Sequence, residues 1–370
     1  MPAIPAGPSE LTSDWLTAAL RASGVIQAGA VSNLTTEIIG ADRGFTGVVA
    51  RVNLTYDQPA PDAPSSLVAK LPLAEPDGSS YRDAQQVSPE QMQYVEWCAR
   101  EVRFYQDLAS GIALMPVSYG GWVDAENERI VLLLEDLSGG DAGDALLGCS
   151  IDRVEIVIDR LASFHARWWG QAPAWLPRWG GDLRGRAERF RGQLSQVLDR
   201  HRDRIPEATA ALSLELAQRY ESVLRRLALR PVTVIHGDLH LDNLIFTGDD
   251  GVALIDWQNV SAGPAIVDLG LFIVGALSVD DRRTAEMDLL ARYHLTLESS
   301  GVRDYSFADL VADYRRSLVW QLAGITGWLA RVDLASLEGR ERALVEALFT
   351  PGQVFAACHD HAEWLTTPLP

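Results

Sequence analysis

V-T-V-I-H-G-D-L-H-L-D-N-L-I-F-T-G-D-D-G-V-A-L-I-D-W-Q, residues Val232 to Gln258, is the stretch around which this 370-residue chain is organised. Its first four residues are β-branched, the composition of a short buried strand. His236, Gly237 and Asp238 follow, then four residues, then Asn243. Leu244 to Phe246 is a short apolar run, T-G-D-D-G signals a tight turn, and Val252 to Ile255 reads as a second strand delivering Asp256 at its end. Three side chains competent for protons and metals are thus set on two loops held by one hairpin. Asp238 can accept a proton from a hydroxyl. Asn243 and Asp256 offer the hard oxygen ligands that Mg²⁺ takes when it also binds nucleotide phosphates. Phosphoryl transfer needs that set: a carboxylate to orient the nucleophile and metal ions to neutralise phosphate charge. A lone Asp would read as a solvated turn; Asp, Asn and Asp at these offsets do not.

Composition narrows the classes. A formal net charge of −18 argues against a nucleic-acid binder, which carries a basic patch. The length suits two lobes better than one compact unit. Cys98, Cys149 and Cys358 are few and far apart, so neither a disulfide framework nor a C-x-x-C metal site is expected. Met1 to Glu10 lacks a basic start and an apolar core, so no secretory leader is expected; Leu269 to Leu277 is too short to span a bilayer. A cytoplasmic protein is expected.

The pattern His236-Gly237-Asp238-(x4)-Asn243 followed by Ile255-Asp256-Trp257 resembles the catalytic and metal loops of the aminoglycoside-phosphotransferase and choline-kinase-like small-molecule kinases. In these relatives of protein kinases, H-G-D stands where H-R-D does and I-D-[FW] where D-F-G does. The resemblance implies an α+β, protein-kinase-like two-lobe fold: a small antiparallel-sheet N-lobe with one long helix, and a larger, mainly helical C-lobe. It implies a nucleotide-binding lobe over residues 1–134, a hinge over 135–144, and a C-lobe over 145–370 with the catalytic and metal loops and the acceptor site. ATP, Mg²⁺ and a small-molecule alcohol acceptor come with it. The L-L-L-E-D-L run, with R-E-V-R-F-Y and H-A-R-W-W, looks closer to the ecdysteroid-kinase-like and acyl-CoA-dehydrogenase-associated phosphotransferases than to the antibiotic-resistance enzymes.

The rest of the chain can be read against this frame. A helix is expected over Ser13 to Arg21 and strands over Leu34 to Ile39 and Val48 to Tyr56. Between those strands, the glycine-rich turn with Gly44, Phe45, Thr46 and Gly47 could bring backbone N–H groups close to phosphate oxygens. Lys70, in a V-A-K strand, is the only lysine; the other 31 of the 32 basic residues are arginine. A compact ammonium fits between α- and β-phosphates where a guanidinium fork does not. By resemblance, Lys70 grips ATP and is paired by Glu101 of the helix running from Gln91 to about Leu108, with Glu96 as the fallback. The backbones of Glu135 and Leu137 are the implied adenine contacts. Asp268 matches a carboxylate that braces the catalytic loop, His236 has a structural part, and His240 faces the phosphate or shapes the loop. His165, on a helix over Ser150 to Trp169, reads as core packing rather than pocket lining. Two helices, roughly Leu183–Arg202 and Glu207–Leu229, form the implied acceptor side. Trp320, Trp328, Phe355 and Trp364 read as core, with the floor of the acceptor pocket as the alternative for some of them, and Cys358-His359-Asp360-His361, wrongly spaced for zinc, as surface.

The expected activity is ATP-dependent phosphorylation of a small-molecule hydroxyl, with Asp238 as base and Mg²⁺ held by Asn243 and Asp256. A nucleotide-binding pseudokinase acting as an interaction module is the alternative. Phosphorylation of protein side chains fits less well, because only seven residues separate Asp256 from Pro264 and leave no room for an activation segment. A Walker-type loop is excluded, since the single lysine follows Val-Ala.

Overall fold

The computed structural model describes residues 3–40, 48–58, 63–71, 89–333, 337–349 and 353–367. The glycine-rich turn with Gly44, Phe45, Thr46 and Gly47 lies outside them. The chain forms two compact units, one from Met1–Asp141 with Ile245–Asn259, the other from Ala142–Leu244 with Val260–Pro370.

In the first unit, α1 (Ser13–Ala22) starts where the Thr12 side chain accepts the Trp15 N–H, an N-cap that satisfies one orphan donor of the first turn. Strands β1 (Val31–Ile39), β2 (Val48–Tyr56) and β3 (Ser66–Leu71) precede α2 (Pro89–Asp107), and β4 (Ser118–Asp124) and β5 (Arg129–Glu135) follow it. They form one antiparallel sheet in the order β1-β2-β3-β5-β4. Period-two alternation sends Leu67, Ala69 and Leu71 into a core shared with Trp15, Leu16, Leu20, Val131 and Leu133 of α1 and β5. Lys70 therefore emerges from the opposite face. The β4–β5 turn has Glu128 in the left-handed region (φ 54°).

After β6 (Asp141–Ala142) the chain enters the second unit. Here α3 (Ile151–Arg167) is capped by the Ser150 hydroxyl, which accepts the Arg153 N–H, and it buries Val154, Val157, Ile158, Leu161, Phe164 and His165. The pair α4 (Leu183–Arg200) and α5 (Glu207–Ala228) leads to β7 (Thr233–Ile235). The hairpin β8 (Leu244–Thr247) and β9 (Gly251–Leu254) returns to the first unit, where the Leu254 N–H donates to Leu114 O at 2.8 Å. The strand thus ends two residues before Asp256, earlier than the apolar run suggests. β10 (Ser261–Gly263) then pairs antiparallel with β7 in the second unit. α6 (Ile266–Ala276) is apolar apart from Asp268 and almost wholly buried, as a central helix must be. Around it pack α3, α7 (Val279–Ser299), α8 (Phe307–Arg331) and α10 (Gln353–Asp360); α9 (Gly339–Phe349) and α11 (Ala362–Thr366) complete the helices.

Two sequence readings change here. Cys358-His359-Asp360-His361 lies at the surface only in part: His359 and Asp360 are exposed, but their neighbours are not. Cys358 is buried, Asp360 pairs with the buried Arg282, and His361 Nε2 lies 2.9 Å from Glu286. Glu286 also takes Arg282 at 2.6 Å and the Tyr314 hydroxyl at 3.0 Å, so α7, α8 and the end of α10 meet on one ion network. Trp320, Trp328, Phe355 and Trp364 are half-buried rather than sealed; Trp328 packs against the core cluster of Val197, Ile205 and Leu329, and the Arg315 and Arg316 guanidinium groups lie over the Trp364 ring. No described helix is long and apolar enough to cross a membrane.

Candidate active site

In the first unit the described structure brings three of the sequence-selected residues together. Lys70 Nζ lies 2.6 Å from Glu101 Oε2 and also contacts Asp256 Oδ1. Strand alternation aims Lys70 at α2, and Glu101 sits on the face of α2 that meets it. Glu101 is only 1 % exposed, and its second oxygen accepts the backbone N–H of Trp257 at 3.1 Å. One carboxylate thereby holds both the lysine and the residue after Asp256. Trp257 is fully buried and stacks on Phe104 of α2, ring centroids 4.2 Å apart and nearly parallel. With Trp257 anchored and the ladder ended at Leu254, the chain turns sharply, and Asp256 takes a left-handed conformation (φ 65°) that non-glycine residues seldom adopt. Such conformations persist where surroundings over-determine them, and they cluster at functional sites. Gln258 Nε2 donates to Asp256 Oδ2 at 3.2 Å, so both carboxylate oxygens have partners.

The electrostatics follow from burial. Desolvation works against the Lys70 ammonium, but the adjacent Glu101 and Asp256 charges outweigh it and hold its pKa well above the ordinary lysine value. Burial also lifts the Glu101 carboxyl, with the Lys70 charge pulling against it. A cation is therefore locked between two carboxylates, one sealed and one (Asp256, side chain 28 % exposed) open to solvent.

At the hinge segment, the Glu135 N–H donates to Val117 O at 2.8 Å, and Leu137 O accepts the Gly140 N–H at 2.9 Å.

The second unit holds Asp238 and Asn243. β7 leads into His236, and Gly237 (φ 83°) makes the turn that a Cβ would strain. Asp268, fully buried on the first turn of α6, accepts the backbone N–H groups of His236 at 2.6 Å and Gly237 at 2.9 Å. Buried His236 accepts the Asp238 N–H on Nδ1 at 3.3 Å, so its part in the loop is structural. The loop then closes on itself: Asn243 Nδ2 donates to Asp238 O at 2.9 Å and lies 3.1 Å from His240 Nε2. The amide nitrogen of Asn243 is thus engaged within the loop itself. The Asp238 side chain is 42 % exposed and accessible to a substrate; His240 Nε2 is 3.9 Å from its Oδ1.

His165 is fully buried, as its helix face implied, but it is no inert filler. Its Nδ1 lies 2.7 Å from the Tyr293 hydroxyl and its Nε2 3.3 Å from Asp268, while its carbonyl accepts the Thr233 hydroxyl at 2.6 Å. Trp257, Gln258 and Tyr293 are contributors that motif reading passed over. The tryptophan of I-D-W could have been noticed as an anchor beside the aspartate. Tyr293, on a distant helix, carries no such signal.

Residues 85–311 match the family model for the phosphotransferase enzyme family, APH, over more than half of the chain. The chain belongs to that family. The matched span holds Glu101, Asp238, Asn243 and Asp256, while Lys70 precedes it. Among curated proteins, the kinase-like protein D1044.1 of Caenorhabditis elegans is 28 % identical over 240 residues, covering 59 % of this chain and 61 % of that protein, so the match spans about three fifths of the relative's length. Among solved structures, choline kinase from Cryptosporidium parvum Iowa II aligns over 96 % of this chain and 98 % of its own, with a TM-score of 0.56 at 12 % identity. Amicoumacin kinase hAmiN, solved with AMP-PNP, Ca²⁺ and Ami, aligns over 97 % and 98 % with a TM-score of 0.50 at 11 % identity. At such identities the likeness establishes the fold. This member of the family has the α+β kinase-like architecture, an antiparallel sheet region followed by a helical one.

Proposed function

We propose that the protein is an ATP-dependent O-phosphotransferase that moves the γ-phosphoryl group of ATP onto a hydroxyl of a small molecule. The observation that carries this reading is the Lys70–Glu101–Asp256 constellation: the only lysine of the chain, held by a sealed glutamate, touching the aspartate of I-D-W. A structural ion pair would not need a carboxylate held in a left-handed, half-open position. In this reading residues 1–134 bind nucleotide, 135–144 form the hinge, and 145–370 hold the acceptor. Gly44, Phe45, Thr46 and Gly47 cover the phosphates, Lys70 grips the α/β oxygens, and the Glu135 carbonyl and Leu137 backbone meet adenine. The donor set suits Mg²⁺: the Asp256 carboxylate and Asn243 Oδ1 are hard oxygens, and Mg²⁺ supplies charge neutralisation on the phosphates. Asp238 orients the acceptor hydroxyl and takes its proton as transfer proceeds. A cytoplasmic location suits ATP as donor.

The test is ADP release from Mg·ATP across a panel of hydroxylated amines, aminosugars, sterols and hydroxy acids, with Asp238→Asn as the blank. Turnover confined to one acceptor class, falling by about 10²- to 10⁴-fold in Asp238→Asn while ATP still raises the melting temperature, is the expected result. An unchanged rate in Asp238→Asn would overturn the role of Asp238. ATP binding without turnover on any acceptor would favour an interaction module over an enzyme.

A further inference from the structure

Asp242, inside the loop between Asp238 and Asn243, is tied down from far along the chain. Arg340, at the start of α9, donates from Nη2 to Asp242 Oδ1 at 2.7 Å and from Nη1 to Asp144 Oδ2 at 2.8 Å. The partners lie 98 and 196 residues away in sequence, and all three side chains are 14–18 % exposed. Many arginine pairs of the chain are instead local contacts on helix surfaces, such as Arg184 with Glu188, 77 % and 55 % exposed, which contribute little.

The segment that Arg340 joins to the loop is itself laced to it. The Ala145 N–H donates to the same Asp242 oxygen at 3.0 Å, and the Gly143 N–H donates to Leu244 O at 2.9 Å. The two backbones approach so closely at Gly143 that a Cβ there would sit 2.2 Å from Leu241 O. Residues 143–145 and 241–244 thus run as one laced strip, and the Arg340 fork closes it by taking a carboxylate from each side. The fork geometry matters, because two separate carboxylates are met by two donors of one rigid plane, which an ammonium does not offer. Without the guanidinium, Asp144 and Asp242 are two like charges held in one strip with no counter-charge between them. Repulsion would then push Asp242 outward, and Asn243 is the next residue.

We propose that Arg340 is a positioning residue for the catalytic loop, setting Asp242 and through it the placement of Asn243 and Asp238. It is also the point through which the α9 region of the chain governs turnover. The assignment rests on the roles proposed above for Asp238 and Asn243, but its physical content is separable from them.

The experiment compares full-length wild type with Arg340→Ala, Arg340→Lys and, as control, Arg342→Ala, whose partner Glu346 is on the exposed side of α9 (side chains 55 % and 48 % exposed). Three quantities are read: kcat of ADP release from Mg·ATP with whichever compound of the panel supports turnover, rescue by millimolar guanidinium chloride against equal sodium chloride, and amide exchange over residues 142–146 and 237–246. Arg340→Ala is expected to lose about 10²-fold in kcat, the scale of a misplacement near 1 Å. Guanidinium should restore part of that loss and sodium none, and both peptides should exchange faster. Arg340→Lys should fall between, and Arg342→Ala should match wild type. Should Arg340→Ala not fold, Arg340→Lys carries the same comparison. A variant at Arg340 that folds and keeps wild-type kcat and exchange overturns the proposal, as does a loss that guanidinium does not touch. If wild type turns over no acceptor, the enzymatic reading fails, and exchange alone decides: unchanged protection in the two peptides overturns the brace.

Discussion

Replacing Lys70 with Met tests the charge arithmetic at the heart of the first unit. The substitution keeps chain length and apolar stem but removes the counter-charge of Glu101, which is 1 % exposed. Breaking a buried ion pair from one side costs about 3–5 kcal/mol because the remaining charge is stranded. Two features argue for the low end, about 3 kcal/mol: Asp256 is 28 % exposed and can rehydrate, and Glu101 keeps the Trp257 N–H. For a unit of this size, with Met1–Asp141 and Ile245–Asn259, that is about 9 °C in melting temperature at about 3 °C per kcal/mol. In Lys70→Met/Glu101→Leu the buried stranded charge is gone; Asp256 rehydrates as in the single variant, and the Trp257 N–H lacks an acceptor, a loss of about 1 kcal/mol. The double variant should therefore melt above the single one while remaining inactive. The pH dependence fixes the sign. Burial raises the Glu101 carboxyl above its ordinary value, and removing Lys70 takes away the charge opposing that rise. A carboxyl raised in the folded state penalises folding at high pH, and the penalty vanishes as pH falls through the raised folded value. Lys70→Met should thus gain stability relative to wild type as pH is lowered from 8 toward the ordinary glutamate range. Calorimetry of the three proteins at several pH values reads all of this. A single variant as stable as wild type, or a double variant no better than the single, would refute the reasoning.

Two further outcomes follow from the geometry. Gly143→Ala places a Cβ 2.2 Å from the Leu241 carbonyl oxygen, so it should destabilise the second unit by about 1–3 kcal/mol and lower kcat, seen as a reduced melting temperature and slower ADP release. Gly139→Ala, with nothing within 4 Å of its Cβ, is the matched control. Burial pushes the Cys358 thiol up to about 12, so at pH 8 this residue should resist iodoacetamide in the folded protein and react only in urea, as read by peptide mass analysis.

The hairpin with its two loops was legible because its spacing is local: strand, turn and strand hold Asp238, Asn243 and Asp256 within 19 residues of one another. Lys70 was legible for another reason, as the one ammonium in a chain that otherwise uses arginine. Period-two and three-to-four-residue patterns gave the strands and helices to within a few residues, since the buried faces of β3 and α3 repeat at those intervals. The misreadings came where burial depends on partners far away. Cys358-His359-Asp360-His361 read as surface, which holds for His359 and Asp360, yet Cys358 is buried, and Arg282 and Glu286, more than 70 residues earlier, tie Asp360 and His361 into an ion network.

The sequence by itself determined the chemistry: which groups can move a proton, hold a hard cation or grip a phosphate, because those properties belong to side chains and short spacings. Only the tertiary structure decided how those groups are held. The second grip of Glu101, on the Trp257 backbone, His165 and Tyr293 behind Asp268, and Arg340 on Asp242 are all long-range contacts. A polar side chain far along the chain gives no local sign of its partner, because that partner is chosen by which helix faces and strand ends the packing of apolar surface brings together.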